Sequence, residues 1–317
     1  MVQSSAKFVS YDLRPSKQCE RKLMLECFRA ATECGFLISD YRYVGMGANR
    51  FYDYMLLHKY FGVTDMISLE HDEDVFKRAN FNKPYGFIKV GPDSATQFIA
   101  ADVGTKDTVY WLDYDGGVGP HITGDIFAIA PRIRLNSFLF VTVCAEPPKV
   151  LEKKNFTERL AFLQDALGDL ASALTKSDLE GASFPQAVQK IWIAAFRNAF
   201  AVRSDGIFSS FFRVQYTDGM KMLTVGCVMS DNARCQGLID TLKNRVPVLN
   251  LGPDESYKIR KFDITEKERG LLDLAVTAGR SSSREINYLK KLGFSDTDIQ
   301  KYREIVRYHP RYIEAIL

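Results

Sequence analysis

A chain of 317 residues with 46% hydrophobic and 26% charged positions can bury one large core, or one ordinary core plus a small satellite domain. These proportions exclude a disordered or collagen-like chain, and a net charge of +3 made of mixed signs neither requires nor forbids a nucleic-acid partner. The opening MVQSSAKFVSYDLRPSK has no apolar signal-peptide core, and no apolar run approaches the roughly 20 residues that span a bilayer. A cytoplasmic protein without a membrane partner is expected. The six cysteines include no C-x-x-C pair and only four histidines accompany them, so no structural zinc site is expected.

In chain order, residues 16–34 read as an amphipathic helix with Leu23, Cys27 and Ala30 or Ala31 on one face and charges opposite. Residues 41–44 then read as a strand, Gly45 to Asn49 as a tight loop, and 51–61 as a helix stopped by Gly62. The unit recurs with variations. DMISLEHD is a strand ending at Glu70, followed by a short helix; 86–90 is a third strand, with Asp93 in the loop before a helix over 94–100. Residues 108–112 form a fourth strand, capped by Asp113-Tyr114-Asp115-Gly116-Gly117, and the apolar run 137–144 reads as a strand covered on both faces. Strands alternating with helices predict a parallel sheet between two helical layers.

After Glu146 the pattern changes. Residues 149–176 and 185–200 read as helical, and strands 209–216 and 221–229 are joined across Thr217-Asp218-Gly219, a connection too short for parallel neighbours. From about residue 250 the chain turns linker-like and then helical, over 266–278, 283–292 and 296–308. The expected architecture is therefore a doubly wound, mostly parallel seven-stranded α/β sheet with a terminal antiparallel hairpin and a C-terminal helical appendage. It divides into an N-terminal helical segment (1–35), a central domain (36–249) and a helical domain (250–317). The appendage could be a helix-turn-helix-like module or a bundle packed on the main sheet or on a protein partner.

YRYVGMGANRFYDY is the most informative stretch. A strand, a G-x-G pair and a helix let the backbone approach a ligand at a helix N-terminus. Glu70, ending the next strand, stands where a carboxylate can bind ribose hydroxyls. Arg50 occupies the place of the third glycine of a dinucleotide fingerprint, and no G-K-[ST] follows, so neither that fingerprint nor a P-loop is present. An enzyme using Arg50 and the acids for phosphate or NAD chemistry is a weaker alternative, because the hairpin order speaks against it.

On these residues the sequence resembles the class I S-adenosylmethionine-dependent methyltransferases from about Phe36 to Met229. The resemblance implies S-adenosylmethionine as cofactor. Its methionine part would be cradled by Tyr43, Val44, Gly45, Met46, Gly47 and Ala48, with Asn49 closing the loop, its ribose by Glu70 and its adenine beside Asp93. It further implies that Asp113, Tyr114 and Asp115 face the reacting methyl, and that a final strand runs antiparallel at the sheet edge. The loop is GMGAN rather than a three-glycine form, the acid of the first strand is represented at best by Asp40, and neither an N-P-P-Y tetrapeptide nor a C5-type cysteine is present. The acceptor is accordingly not named by the resemblance.

Taken alone, WLDYDGGVGPH places two carboxylates and a phenol at the ligand edge of a buried strand, with Asp113 and Asp115 on one side and Tyr114 on the other. Asp113 or Asp115 is the candidate to orient or deprotonate an acceptor; otherwise one caps a helix or satisfies loop amides. The pair could also hold Mg²⁺ with Glu146 as a third oxygen ligand, although no metal is expected. His121 and His71 are lesser candidates, and Asn82 could approach the acceptor cleft. Basic residues near Arg14, Lys17, Arg21 and Lys22, at Arg132 and Arg134, and at Arg303, Arg307 and Arg311 could serve a phosphate backbone, but acidic neighbours make a solvated ion-paired face the simpler account. The acceptor is expected to be a small molecule or protein, with nucleic acid an option. The competing reading is a catalytically inactive ligand-binding or scaffold protein whose terminal helices engage a partner.

Overall fold

The structure is a computed structural model that describes residues 14–180, 183–260, 262–277 and 283–310. Arg311, singled out in the sequence, lies outside the described residues. Helix α1 (Pro15–Glu33) precedes a series of strand–helix units: β1 (Arg42–Gly45), α2 (Tyr52–Phe61), β2 (Asp65–Leu69), α3 (Glu73–Asn82), β3 (Ile88–Gly91), α4 (Ala95–Ala101), β4 (Thr108–Gly117), α5 (Pro120–Ile129) and β5 (Phe138–Cys144). Helices α6 (Phe156–Leu167), α7 (Lys176–Leu179) and α8 (Phe184–Phe200) lead to the hairpin β6 (Ile207–Thr217) and β7 (Lys221–Ser230). Helix α9 (Asn232–Arg245), the short strand β8 (Tyr257–Lys258) and helices α10 (Glu266–Thr277), α11 (Ser283–Lys291) and α12 (Asp296–Ile305) complete the described chain.

The strands form one sheet in the order β3-β2-β1-β4-β5-β7-β6-β8. The first five are parallel, and β7 inserts antiparallel between β5 and β6. The expected α/β sheet with its antiparallel hairpin is thus observed. It gains an eighth strand, β8, whose two residues pair parallel to β6 and are too short to carry a sequence signal. The helical stretch expected over 149–176 is broken instead: α6 ends at Gly168, whose φ of +59° stops the helix, and a 3-10 turn follows.

Two apolar layers flank the sheet. Strand β5 has six of its seven residues buried, and its side chains feed both layers: Phe138 and Phe140 pack under α1, while Leu139, Val141 and Val143 meet α5 and α8. Each such buried side chain contributes roughly 1.5–3 kcal/mol of hydrophobic stabilisation. The terminal helices have a small core of their own around Leu272, Leu289 and Tyr302, and Ile305 and Tyr308 continue into the layer beneath α1. Arg307 pairs with Glu26 of α1 at 2.9 Å, which is where one of the terminal basic residues is used.

Helix α1 departs from the expected amphipathic pattern. Lys17, Glu20, Arg21 and Glu26 are buried rather than solvated, because the helix is covered along most of its circumference by the sheet, α2, α9 and the end of α12. Its N-terminus is held from across the sheet: the Asp218 carboxylate of the β6–β7 turn accepts from the backbone N–H of Ser16 at 3.3 Å and of Lys17 at 2.8 Å. Orphan donors of a first helical turn are thereby satisfied by a residue 201 and 202 positions away.

Candidate functional site

The parallel strands all end on one edge of the sheet, and a cavity of about 460 Å³ opens there. That volume falls within the range of small-molecule sites, and its place outside the carboxyl ends of the strands is where open α/β sheets take ligands. Met46, Gly47, Ala48 and Arg50 form one wall, Glu70, His71 and residues 93–96 the side toward β2 and β3, and Asp113 to Gly116, with Tyr216 and Met222 from the hairpin, the side toward β4 and β7. Arg14 reaches in from just before α1 and Arg21 from α1 itself, Tyr52 and Asp53 from α2, and His121 from α5.

The wall after β1 owes its shape to packing. Gly47 donates its N–H to Ser68 Oγ at 3.0 Å, and a Cβ on Gly47 would lie 2.7 Å from the Phe51 ring and 2.9 Å from that same oxygen. Only glycine fits there. Ala48 and Phe51 carry φ values of +44° and +54°, a left-handed conformation that costs an L side chain roughly 1–2 kcal/mol. The fully buried Phe51 ring, 5.3 Å from the Tyr54 ring, sustains this strain and starts α2.

Among the expected cofactor residues, Met46, Gly47, Ala48, Glu70 and Asp93 line the cavity. Tyr43, Gly45 and Asn49 do not line it. Tyr43 is 1% exposed and stacks edge-on against Tyr54 in the core, because alternation along β1 turns it toward α1 and α2. Glu70 is nearly buried, and one of its carboxylate oxygens accepts the Asp72 N–H at 3.1 Å. Burial pushes its pKa above the ordinary carboxylate value, with nearby Asp115 adding to the rise while the Asp72 amide and His71 oppose it.

Asp113, Tyr114 and Asp115 also line the cavity, although β4 does not stop at residue 112 as expected. It runs to Gly117 through an irregularity: Asp113 pairs with Thr142 and Gly117 with Cys144, so residues 114–116 loop out of the ladder toward the cavity. Asp113 Oδ2 lies 2.8 Å from the Lys17 ammonium. Tyr114 points to the other side, as alternation requires, and donates to Asp125 Oδ2 at 2.6 Å. Burial, reinforced by the Asp125 carboxylate, keeps the proton on Tyr114, which leaves it a poor base. Glu146 accepts the Lys221 N–H at 3.0 Å, closing the β5–β7 end, and does not line the cavity. The carboxylates of Asp113, Asp115 and Glu146 therefore do not converge, and no group of three metal-ligating side chains occurs among the described residues. Asn82 is exposed at the end of α3 and is not part of the lining.

The sequence offers no place in the site to Tyr52, Tyr216 or Met222, and to Lys17 and Arg21 only one on a phosphate-facing surface. One signal was readable: Lys17, Arg21, Met24 and Phe28 fall at helical spacing, so charges continue an apolar stripe. For Tyr216 and Met222 none was available, since only the insertion of β7 beside β5 brings the hairpin to the cavity.

A parallel sheet ending in an inserted antiparallel hairpin, with a glycine-walled cavity and an acid closing the second strand, defines the class I methyltransferase-like Rossmann fold, here in a divergent form. The profile of the family described as "Putative O-methyltransferase" matches residues 9–317, and the chain belongs to that family. Comparison with the curated proteins gives no match. Among solved structures the chain is similar to Trm1 from Pyrococcus horikoshii in complex with S-adenosyl-L-methionine, at 12% identity and a TM-score of 0.49 over 94% of this chain and 84% of that one. It is also similar to an O-methyltransferase from Bacillus cereus in complex with SAH, at 13% identity and a TM-score of 0.39 over 70% and 85% of the two chains. Among the described residues no helix is long and apolar enough to cross a membrane.

Proposed function

We propose that the protein transfers a methyl group from S-adenosylmethionine to an oxygen acceptor. The observation that carries this reading is the single cavity wall that joins the strained Gly47 loop to Glu70 and Asp93 on one side and to Asp113 and Asp115 on the other. Bound there, the donor supplies an electrophilic methyl on a sulfonium. Met46, Gly47 and Ala48 would hold its amino-acid part, Glu70 its ribose hydroxyls, and Asp93 with residues 94–96 would border its adenine. Donor and residues fit in size, and the acids of the cavity favour a cationic sulfonium.

Asp113 and Asp115 would orient the acceptor, and a carboxylate accepting the hydrogen bond of an approaching hydroxyl raises its nucleophilicity. The family description supports oxygen as the acceptor atom. A small molecule or protein is the favoured acceptor, because the basic residues that might track a phosphate backbone are partly spent on Glu26, Asp53 and Asp113.

Calorimetric titration of the purified protein with S-adenosylmethionine, alongside NAD and ATP, is expected to show saturable binding of the first and none of the others. Failure of a folded, donor-free protein to bind S-adenosylmethionine would return the chain to a scaffold role, and preference for NAD or ATP would replace the reading altogether.

A further inference from the structure

The ion pair at the acceptor side of the cavity is built from distant parts of the chain. Lys17 is 1% exposed; its ammonium forms ion pairs with Asp113 Oδ2 and Glu20 Oε2, each at 2.8 Å, and donates to the Tyr216 hydroxyl at 3.1 Å. The ammonium also lies 4.7 Å from the centre of the Trp111 ring. Glu20 is fixed in turn, accepting from Thr224 Oγ1, which is 2.7 Å from Thr142 Oγ1; that oxygen accepts the Trp111 indole N–H at 3.0 Å. Side chains from α1, β4, β5, β6 and β7 thus determine the position of one ammonium. Among these partners, Asp113 and Tyr216 line the cavity, Tyr216 buried and Asp113 with its side chain 26% exposed.

Such a cluster is a weak device for stability. Desolvating an ammonium and two carboxylates costs several kcal/mol per ion, and well-packed apolar residues often do as well or better. The cluster sits where β4 leaves the register of β5, so the ladder alone does not fix the Asp113 side chain. We propose that Lys17 is a positioning residue for the acceptor: it clamps the Asp113 carboxylate in the cavity wall, so that docking of α1 completes the site. This rests on the methyltransferase reading for what Asp113 does, but the clamp is a property of the protein without its donor.

The charged and titratable groups facing Asp113 and Lys17 are Glu20 and Arg21 from α1, Tyr43 from β1, and Tyr216 from β6, with Asp53 of α2 paired to Arg21 behind them. Burial opposes the charge on Lys17, yet Asp113 and Glu20 together outweigh it and keep the amine protonated well above its ordinary range. Burial raises the pKa of Glu20, against the pull of Lys17. Removing the ammonium leaves the Asp113 and Glu20 carboxylates without the charge they share, so repulsion replaces attraction at that point.

The test uses full-length protein labelled with ¹³C at the aspartate side-chain carboxyls, with the Asp113 resonance assigned by its loss in Asp113→Asn. In folded Lys17→Met that resonance is expected to broaden or split as the carboxylate loses its single position, and in the charge-conserving Lys17→Arg it is expected to stay sharper than in Lys17→Met. A single sharp resonance at the parent position in folded Lys17→Met overturns the clamp. If Lys17→Met does not fold, the Lys17 ammonium protons of the parent decide: slow exchange with solvent is expected for a buried, paired ammonium, and fast exchange overturns the clamp equally. Because no donor is present, failure here leaves the donor titration untouched, and failure there leaves this result standing.

Discussion

Glu70→Ala is expected to weaken S-adenosylmethionine binding roughly 10–100-fold while leaving the fold as stable as the parent or more so. The loss follows from the hydrogen bonds a buried carboxylate accepts from ribose hydroxyls, about 1.5–3 kcal/mol for charge-assisted bonds, at about 1.4 kcal/mol per tenfold. The absence of a stability loss follows from the sign of the pKa shift. Burial holds the Glu70 pKa above its unfolded value, so the folded state binds the proton more tightly. The resulting penalty is absent below the unfolded pKa of about 4.3. It grows as pH rises from there to the raised folded value and persists in full at neutral pH.

Removing the carboxyl removes that penalty, a cost retained for binding. In the parent, donor affinity should fall as the pH is lowered through the raised Glu70 pKa, and this dependence should vanish in Glu70→Gln. Calorimetry across pH, with thermal melts of the same samples, measures both effects. Undiminished donor affinity in folded Glu70→Ala would dismiss the ribose contact.

Gly104→Ala is expected to destabilise the protein by about 2–5 kcal/mol without changing donor affinity in the folded fraction. Gly104 holds a φ of +60°, and a Cβ built on it would lie 2.0 Å from the Arg132 carbonyl oxygen. The colliding atom is backbone, so no rotamer change relieves it, and the left-handed conformation adds its own strain. The loop matters because it is a clamp at the far edge of the sheet. Asp102, two residues earlier, takes two hydrogen bonds from Arg42 at the start of β1, and Arg132 reaches back to the carbonyls of Ile99 and Ala100. Burial pushes the Asp102 pKa up, but the Arg42 bonds, together with one that Asp102 accepts from the Tyr110 hydroxyl, hold it below the ordinary carboxylate value.

Gly124 in α5 supplies the contrast. A Cβ there meets nothing within 4 Å, so Gly124→Ala should stabilise by about 0.5–1 kcal/mol through helix propensity. Urea denaturation midpoints of the two variants should move in opposite directions. A Gly104→Ala midpoint equal to the parent would show that the loop relaxes freely.

How much of this was legible beforehand differs by element. Strand β5 announced itself, because a residue covered on both faces must be apolar, and Phe138 to Val143 are apolar except for Thr142. The hairpin was legible from the shortness of Thr217-Asp218-Gly219, and the position of Glu70 at the ligand edge from the apolar strand before it. Tyr43 was assigned by its neighbourhood in sequence, whereas the pleat turns it into the core. The buried charges of α1 were read as a solvated face because a helix carrying Lys17, Glu20, Arg21 and Glu26 ordinarily keeps them in water.

The sequence by itself determined the alternation of strands and helices, the apolar central strands, the glycine loop and the acids at the strand ends. These follow from periodicity and local backbone chemistry, which act over a few residues. Only the tertiary structure decided that α1 lies against the site, that Lys17 neutralises Asp113, and that Tyr216 and Met222 close the cavity. Lys17 and Asp113 are 96 positions apart in the chain, and Lys17 and Tyr216 are 199 apart. A buried charge is tolerable only beside its partner, and which partner it meets is set by the strand order of the sheet rather than by any pattern along the chain.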